Sequence, residues 1–346
     1  MRKLILMIVL LALLIVPVSA MEIEPPDVPD SGEKYMPENT ESFMEGIWQI
    51  VLSAVDAFFP EISQSLSTCA IIIAIMILTT IVDNFPGNSG NTVHLVSAVL
   101  IGILLLKPTG TLIQLGLNTV SEMTNYGKLL LPVLTSALAA QGGVSTSASL
   151  YAVAVLFIAI LSSAVTAVIV PMLYLYFCLT VVNSALGEGM IGSLRAFLKW
   201  LITWSLKIIL YSFTGFMSIT GVVSGSADAS AVKAMKLTIS GMVPVVGGII
   251  SDASESILVS AGVMKSAAGV YGILAVIAVF IGPFLKIGVQ YLMLKSTAAV
   301  CSIFSGKEEA ALIKDFSGGM GMVLGMTATV CLMLLISVVC FMKGVS

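Results

Sequence analysis

Between Ile62 and Ser346 the chain runs for 285 residues with only nine acidic and thirteen basic side chains. Leu, Ile, Val, Ala, Met, Gly and Ser fill most of the rest, which is too few charges to coat a water-soluble domain. The apolar residues come in runs and not at alternating surface and core positions, and the mean hydropathy is +1.08, so the solvent of this chain is lipid. A hydrocarbon layer offers no water to backbone N–H and C=O groups, and a chain crosses it as helices that satisfy those groups internally. The composition therefore predicts an all-α, polytopic transmembrane protein in which every charge inside a span is a functional question.

Residues 1–20 form a separate unit. Arg2 and Lys3 precede an apolar run from Leu4 to Val16, followed by Pro17, Val18, Ser19 and Ala20. The run is shorter than the roughly 20 residues a span needs, and it reads as a signal peptide cleaved after Ala20, with an uncleaved short helix as the alternative. Residues 21–61 hold ten of the nineteen acidic residues and one base, Lys34. That bias suits an extracytoplasmic segment, because cytoplasmic loops favour Lys and Arg. Residues 62–346 are the multi-span membrane domain, net positive by four (thirteen minus nine), so the pI of 5.2 reflects one acidic segment and no acidic partner-binding surface.

Pro25, Pro26, Pro29 and Pro37 keep the start of the acidic segment extended. Ser42 and Glu45 then make a capping-box pair, and Phe43, Ile47, Ile50, Ala54 and Phe58 recur at helical spacing against Glu45, Gln49, Ser53 and Asp56. Such an amphipathic helix lies on the membrane surface or packs against the protein's own spans. The first span is expected near Ser67 to Val82 and the second from Val93, interrupted at Lys107-Pro108. Leu129 to Ala140 reads as a half-helix or interfacial piece, and Ala148 to Leu186 as two short spans broken at Pro171. Further spans follow near Ala196–Val223, Ala267–Gly282, Phe284–Phe304 and Gly319–Phe341, for six to eight crossings with some short or broken interfacial helices. The Arg195/Lys199 turn is the cytoplasmic candidate by the positive-inside rule.

The most suggestive polar feature is a stripe of Lys199, Thr203, Lys207, Tyr211, Thr214, Ser218, Gly221 and Gly225, which share one helix face through the membrane thickness. Such a stripe lines a wet cavity or packs closely against neighbouring helices, and packing is the commoner outcome. Lys207 lies too far in for easy snorkelling. From Asp228 an amphipathic helix carries Lys233, Lys236 and Ser240 on one face. The motif Pro244-Val245-Val246-Gly247-Gly248 then breaks the chain, and Ser251-Asp252-Ala253-Ser254-Glu255 reads as a capped helix start. Asp252 and Glu255 already complement that helix dipole, so an interfacial turn outranks an ion site. Lys286 and Gln290 sit one turn apart inside a span and, if buried, need partners, for which Glu255 or Asp252 are the nearest candidates in sequence. Gly318, Gly319, Gly321 and Gly325 thin the last span, with Gly321 and Gly325 as a GxxxG packing pair.

Enzyme signatures fail in turn. Gly187 to Gly192 matches GxGxxG but follows a membrane span and not a strand, and it lacks the lysine of a phosphate-binding loop. His94 is the single histidine, and the five cysteines Cys69, Cys178, Cys301, Cys331 and Cys340 show no CxxC spacing, so neither a metal site, a cofactor site nor a disulfide framework can be drawn. A basic, aromatic-laced patch for nucleic acid is also missing. The chain reads as a non-enzymatic membrane component, and the alternative is a stand-alone secondary transporter, for which the breaks near Gly142 and Gly247 and the Lys207 stripe are the support.

Several blocks together resemble the stage III sporulation protein AE family. They are Leu131-Pro132-Val133-Leu134 with Gln141-Gly142-Gly143-Val144-Ser145, and Ser218-Ile219-Thr220-Gly221 with Ser226-Ala227-Asp228. Val243-Pro244-Val245-Val246-Gly247-Gly248 with Ser251-Asp252-Ala253, and Met264-Lys265-Ser266-Ala267-Ala268-Gly269, complete the set, which covers about Ser67 to the C-terminus. The resemblance implies a multi-pass protein of the mother-cell membrane around the engulfed forespore. It implies one part of a channel or secretion-like complex joining the two cells, alongside an ATPase, ring-forming membrane subunits and a forespore partner, and supporting late forespore development. It supplies no catalytic residues, and it makes Pro244 to Asp252 a structural or contact element.

Overall fold

The computed structural model describes the backbone of residues 25–37, 42–83, 90–186, 189–242, 247–304 and 307–343, and side chains over the same residues except 59–61, 64, 90–91, 221–265, 304 and 307–308. Its elements are α1 (Asp30–Glu33), α2 (Phe43–Asp83), α3 (Gly90–Ala140), α4 (Val144–Ala164), a π-helical turn (Val165–Ile169), α5 (Val170–Leu186), α6 (Met190–Met242), α7 (Gly247–Phe304) and α8 (Lys307–Lys343). No strand occurs among the described residues. Six segments are long and apolar enough to cross a membrane: Ser65–Asp83, Thr92–Ala140, Val144–Leu186, Met190–Thr220, Ser266–Ile303 and Glu309–Lys343. The chain is a multi-pass, all-α membrane protein. Residues 1–20, read above as a signal peptide, the expected break at Pro244, and residues 187–188 lie outside the described residues.

Several expected breaks are not breaks. Lys107-Pro108 does not interrupt the second span, and Leu129–Ala140 is no half-helix, since both belong to the single helix α3 with Pro108 and Pro132 inside it. A proline deletes one N–H and crowds the preceding turn, but a helix held by neighbours bends around it and need not stop. Pro171 does not divide Ala148–Leu186 either. The wide π-turn just before it adds the residue that relieves the ring's clash, and the chain runs helically from Val144 to Leu186. The one sharp reversal in this region is at Gln141-Gly142-Gly143, where Gly142 adopts φ 92°, a left-handed conformation that favours glycine. There Gly143 N–H donates to the Leu138 carbonyl at 3.1 Å and closes the end of α3.

The central pair is α3 and α8. They run parallel, for Gly116 of α3 meets Val323 and Met326, and Gly127, farther along, meets Leu334. The missing side chains let the two backbones approach, the usual device of apolar helices that have no hydrophobic driving force between them. The others surround this pair: α7 runs antiparallel to α8, with Ser317 Oγ donating to the Tyr291 carbonyl at 3.1 Å and Gly269 against Met342. α6 runs antiparallel to α4 and α5, with Phe213 edge-on to Phe157 at 5.7 Å and Gly192 beside Asn183.

The first half of α2 packs on the protein's own spans, which decides between the two positions expected for it. Ile50 and Ala54 are buried with Leu274 and Ala278 of α7, and the predicted cap is present, with Glu45 N–H donating to Ser42 Oγ at 3.3 Å. Preceding it, residues 25–37 form a strap between α3 and α7. Gly32 rests on Val279, buried Tyr35 rests on Gly282, and Ser31 Oγ donates to a carboxylate oxygen of Glu122.

The glycines of α8 act differently from the expected GxxxG pair. A Cβ on Gly325 would find its nearest atom 4.0 Å away and one on Gly321 would make an ordinary 3.4 Å contact, whereas one on Gly319 would lie 2.2 Å from the Phe177 ring. The close approach is thus two residues before Gly321, where α5 and α8 touch.

Candidate functional site

The α6 stripe can be placed from Lys199 to Ser218; Gly221 and Gly225 have no described side-chain surroundings. Leu198, Ile202, Leu206, Phe213 and Met217 are buried against the bundle. Lys199, Lys207, Tyr211, Thr214 and Ser218 are exposed and Thr203 is half-buried, so the stripe faces away from the bundle. From Lys207 to Ser218 it therefore lines no cavity among the described residues and does not pack against the described helices, whereas Lys199 turns back toward Gly318 of α8. The hydroxyls are occupied locally: Thr203 donates to the Lys199 carbonyl at 2.8 Å, Thr214 to Leu210 at 2.9 Å and Ser218 to Thr214 at 2.8 Å. Such back-bonding makes a hydroxyl tolerable in an apolar setting but leaves an exposed lysine unexplained. Phe197, Trp200 and Trp204 flank the stripe, with successive ring centroids 6.0 and 6.2 Å apart.

Near the base of α6 the chain builds an ionic junction. Arg195 is paired with Asp315 of α8, and Tyr176 of α5 donates to the Asp315 carbonyl at 3.0 Å. Lys199 leans back toward the same point, its Nζ 3.1 Å from where a Cβ on Gly318 would be. The turn expected to carry cytoplasmic charge is thus also a clamp across three helices.

Lys286 and Gln290 both lie in α7, but not with the partners expected from sequence. Gln290 is buried and its Oε1 accepts from Ser65 Oγ of α2 at 3.2 Å. Glu255 and Lys286 belong to one helix and stand 31 residues apart, about 46 Å along its axis, so neither Glu255 nor Asp252 is the partner of Lys286. The side chains of Asp252 and Glu255, and the surroundings of Gly247 and Gly248, lie outside the described residues.

Two features escaped the sequence reading. His94 does more than start an apolar run: its Nδ1 is 2.5 Å from Glu309 Oε1 and its Nε2 is 3.4 Å from Asp83 Oδ2. Ser97 Oγ also donates to Glu309 at 2.9 Å, and Glu309 is only 1% exposed. This imidazole between two carboxylates ties the end of α2 to the starts of α3 and α8. The signal available was a charged turn at Glu309, but it lies 215 positions from His94. The second feature is an outward polar row on α3, invisible while that helix was expected to break at Pro108. Among the described residues no cluster of three or more His, Cys, Asp or Glu is arranged to hold a metal ion.

Comparison with known proteins agrees with the resemblance. The family described as Stage III sporulation protein AE matches residues 33–344. Stage III sporulation protein AE of Bacillus subtilis (strain 168) is 22% identical over 235 residues, an alignment spanning 68% of this chain and 59% of that protein. The matched region thus covers less than two thirds of the relative's length. No solved structure matches. With a six-segment helical bundle and a family match running through nearly all of it, the chain belongs to the stage III sporulation protein AE family.

Proposed function

We propose that this chain is a non-enzymatic membrane subunit of a sporulation-specific, channel-like or secretion-like complex between mother cell and forespore. Its place is the mother-cell membrane around the engulfed forespore, with the acidic segment outside the cytoplasm and the Arg195/Lys199 turn inside. Its partners are the ATPase, the ring-forming membrane subunits and, indirectly, the forespore component of that complex, and it supports late forespore development. The observation that carries a subunit role is the outward α6 stripe: a face with Lys207, Tyr211 and Thr214 exposed is poorly matched to lipid and well matched to a protein neighbour or a wet interface between proteins. A stand-alone transporter loses one support, because the break at Gly142 is a tight turn between two long helices and not an unwound span.

Gentle detergent extraction of sporulating cells should recover the chain in a large assembly with other membrane proteins of the same developmental stage. Recovery as a monomer, with those partners co-expressed, would count against the subunit role. Lys207→Leu gives a residue-level test. A lysine at such depth costs about 2.5 to 3.5 kcal/mol on insertion scales unless water or a partner receives it. The leucine variant should therefore insert at normal or higher abundance while sporulation and recovery of the assembly both fall. Normal levels with normal sporulation would remove the functional claim for the stripe.

A further inference from the structure

α3 has two faces. Ile113, Val120 and Met123 are buried toward the bundle, and Gly116 and Gly127 sit against α8. On the opposite side Lys107, Thr111, Gln114, Asn118, Ser121, Asn125 and Lys128 are all exposed. They recur every three or four residues and so form one straight row. Lys107 and Lys128 are 21 residues apart, about 31 Å along the axis and close to the thickness of a hydrocarbon core. Between them lie only hydroxyls and amides, linked in part: Gln114 Nε2 donates to Asn118 Oδ1 at 2.9 Å, and Lys128 Nζ to Asn125 Oδ1 at 3.5 Å. One such bond uses a fraction of an amide's capacity, and an unsatisfied amide in hydrocarbon costs roughly 4 to 8 kcal/mol.

The strap supplies a second, independent observation. It is anchored beside the row by Ser31 on Glu122 and lies along α7 at Val279 and Gly282, well inside the Ser266–Ile303 segment. Asp27, Asp30, Glu33 and Lys34 are exposed on it. Charges at that position along two spans face water and not acyl chains. From Thr111 to Lys128, the stretch beside the strap, the wall carries four carboxylates with Glu122 against the two ammonium groups of Lys34 and Lys128, with Lys107 lying beyond its far end, a balance that draws cations into a cleft.

We propose that the outward face of α3 from Thr111 to Lys128, with the acidic strap docked beside it, is the wall of a water-filled, cation-attracting vestibule that opens toward the end where α2 begins. This requires only that the bundle crosses the membrane, and it stands whether or not the sporulation-complex assignment does. Water, and not lipid or a second protein surface, is the occupant because the strap's carboxylates need solvation along the same depth as the amides.

The test is cysteine labelling of the full-length chain in intact cells, in a Cys178→Ala background that removes the exposed native thiol. Asn118→Cys, Asn125→Cys and the nearly isosteric Ser121→Cys are compared with Leu156→Cys, an exposed apolar position on α4, using membrane-impermeant methanethiosulfonates of either charge. The three row positions should react at least about tenfold faster than Leu156→Cys, since the thiolate that reacts forms only in water. The cationic reagent should outpace the anionic one severalfold, and Asp30→Asn with Glu33→Gln should level the two. If the row reacts no faster than Leu156→Cys in intact cells and in inside-out vesicles, the face is covered by lipid or protein and the vestibule is wrong. If the row reacts but the anionic reagent is as fast, the cation preference is wrong. Abundance of Ser121→Cys guards against misfolding, because that change removes no volume.

Discussion

Removing the carboxylate of Asp315 should lower the amount of folded protein in the membrane severalfold. Asp315 and Arg195 each expose only about a fifth of their side chains, so Asp315→Ala strands a guanidinium in a largely desolvated site. Breaking a buried pair by deleting one partner costs about 3 to 5 kcal/mol, and the residual exposure here argues for the lower end, about 3 kcal/mol. That is a large part of a marginal stability of about 5 to 15 kcal/mol. The loss should appear as lower membrane abundance and earlier thermal unfolding in detergent. Asp315→Asn should be milder, because the amide oxygen still accepts from Arg195. The exchanged pair Arg195→Asp with Asp315→Arg should recover much of what either single reversal loses, since the attraction survives with its sign arrangement inverted. Equal defects in the exchanged pair and the single reversals would show that the junction is held by shape and not by charge.

The membrane class of the chain was legible because it rests on one bulk quantity, the scarcity of charge after Ile62. Span limits were less so, for a physical reason. Proline, glycine and lone lysines mark the ends of soluble helices, where water competes for the backbone, but in a bundle of spans the nearest alternative hydrogen-bond partner is the helix itself. Hence Pro108, Pro132 and Pro283 all lie inside helices, and Lys107 and Lys207 lie on their outer faces. The amphipathic start of α2 was correctly read as a helix with its cap at Ser42, yet periodicity states which residues share a face and not what that face meets.

The same limit governs the candidate site. Spacing alone placed Lys199 to Ser218 on one side of α6, and they are on one side; whether that side points in or out depends on which helices lie beside it, which is tertiary information. Pairings across the chain were harder still. His94 meets Glu309 across 215 positions, Ser31 meets Glu122 across 91, and Gln290 meets Ser65 across 225, none with a local pattern to announce it. The expected pairing of Lys286 with Glu255 failed because nearness in sequence becomes distance along the axis once both lie on one long helix.

Gly319 offers the sharpest check on the packing of α5 against α8. Phe177 is 1% exposed and lies between Tyr176 and Phe316, with ring centroids 5.5 and 5.2 Å away, so its ring has nowhere to retreat. A Cβ on Gly319 would stand 2.2 Å from one ring atom and 2.3 Å from the next, and the overlap can be relieved only by moving a helix. Overpacking a close-packed core by even one carbon typically costs about 1 to 3 kcal/mol, so Gly319→Ala should fall toward the upper end of that range and Gly319→Leu beyond it. Gly325→Ala is the internal contrast: its new methyl meets nothing nearer than Leu206 Cδ1 at 4.0 Å, and replacing a helical glycine gains roughly 0.5 to 1 kcal/mol. Opposite signs at two glycines six residues apart, read as melting temperature and abundance, would locate the helix contact at Gly319. Trimming the opposing ring closes the cycle, because Phe177→Ala alone leaves a cavity worth about 3 to 5 kcal/mol, which the Gly319→Leu side chain can refill. The double variant should therefore be more stable than the sum of the two losses predicts. Strict additivity, or a Gly319→Ala as well tolerated as Gly325→Ala, would mean that α5 and α8 are not in contact there.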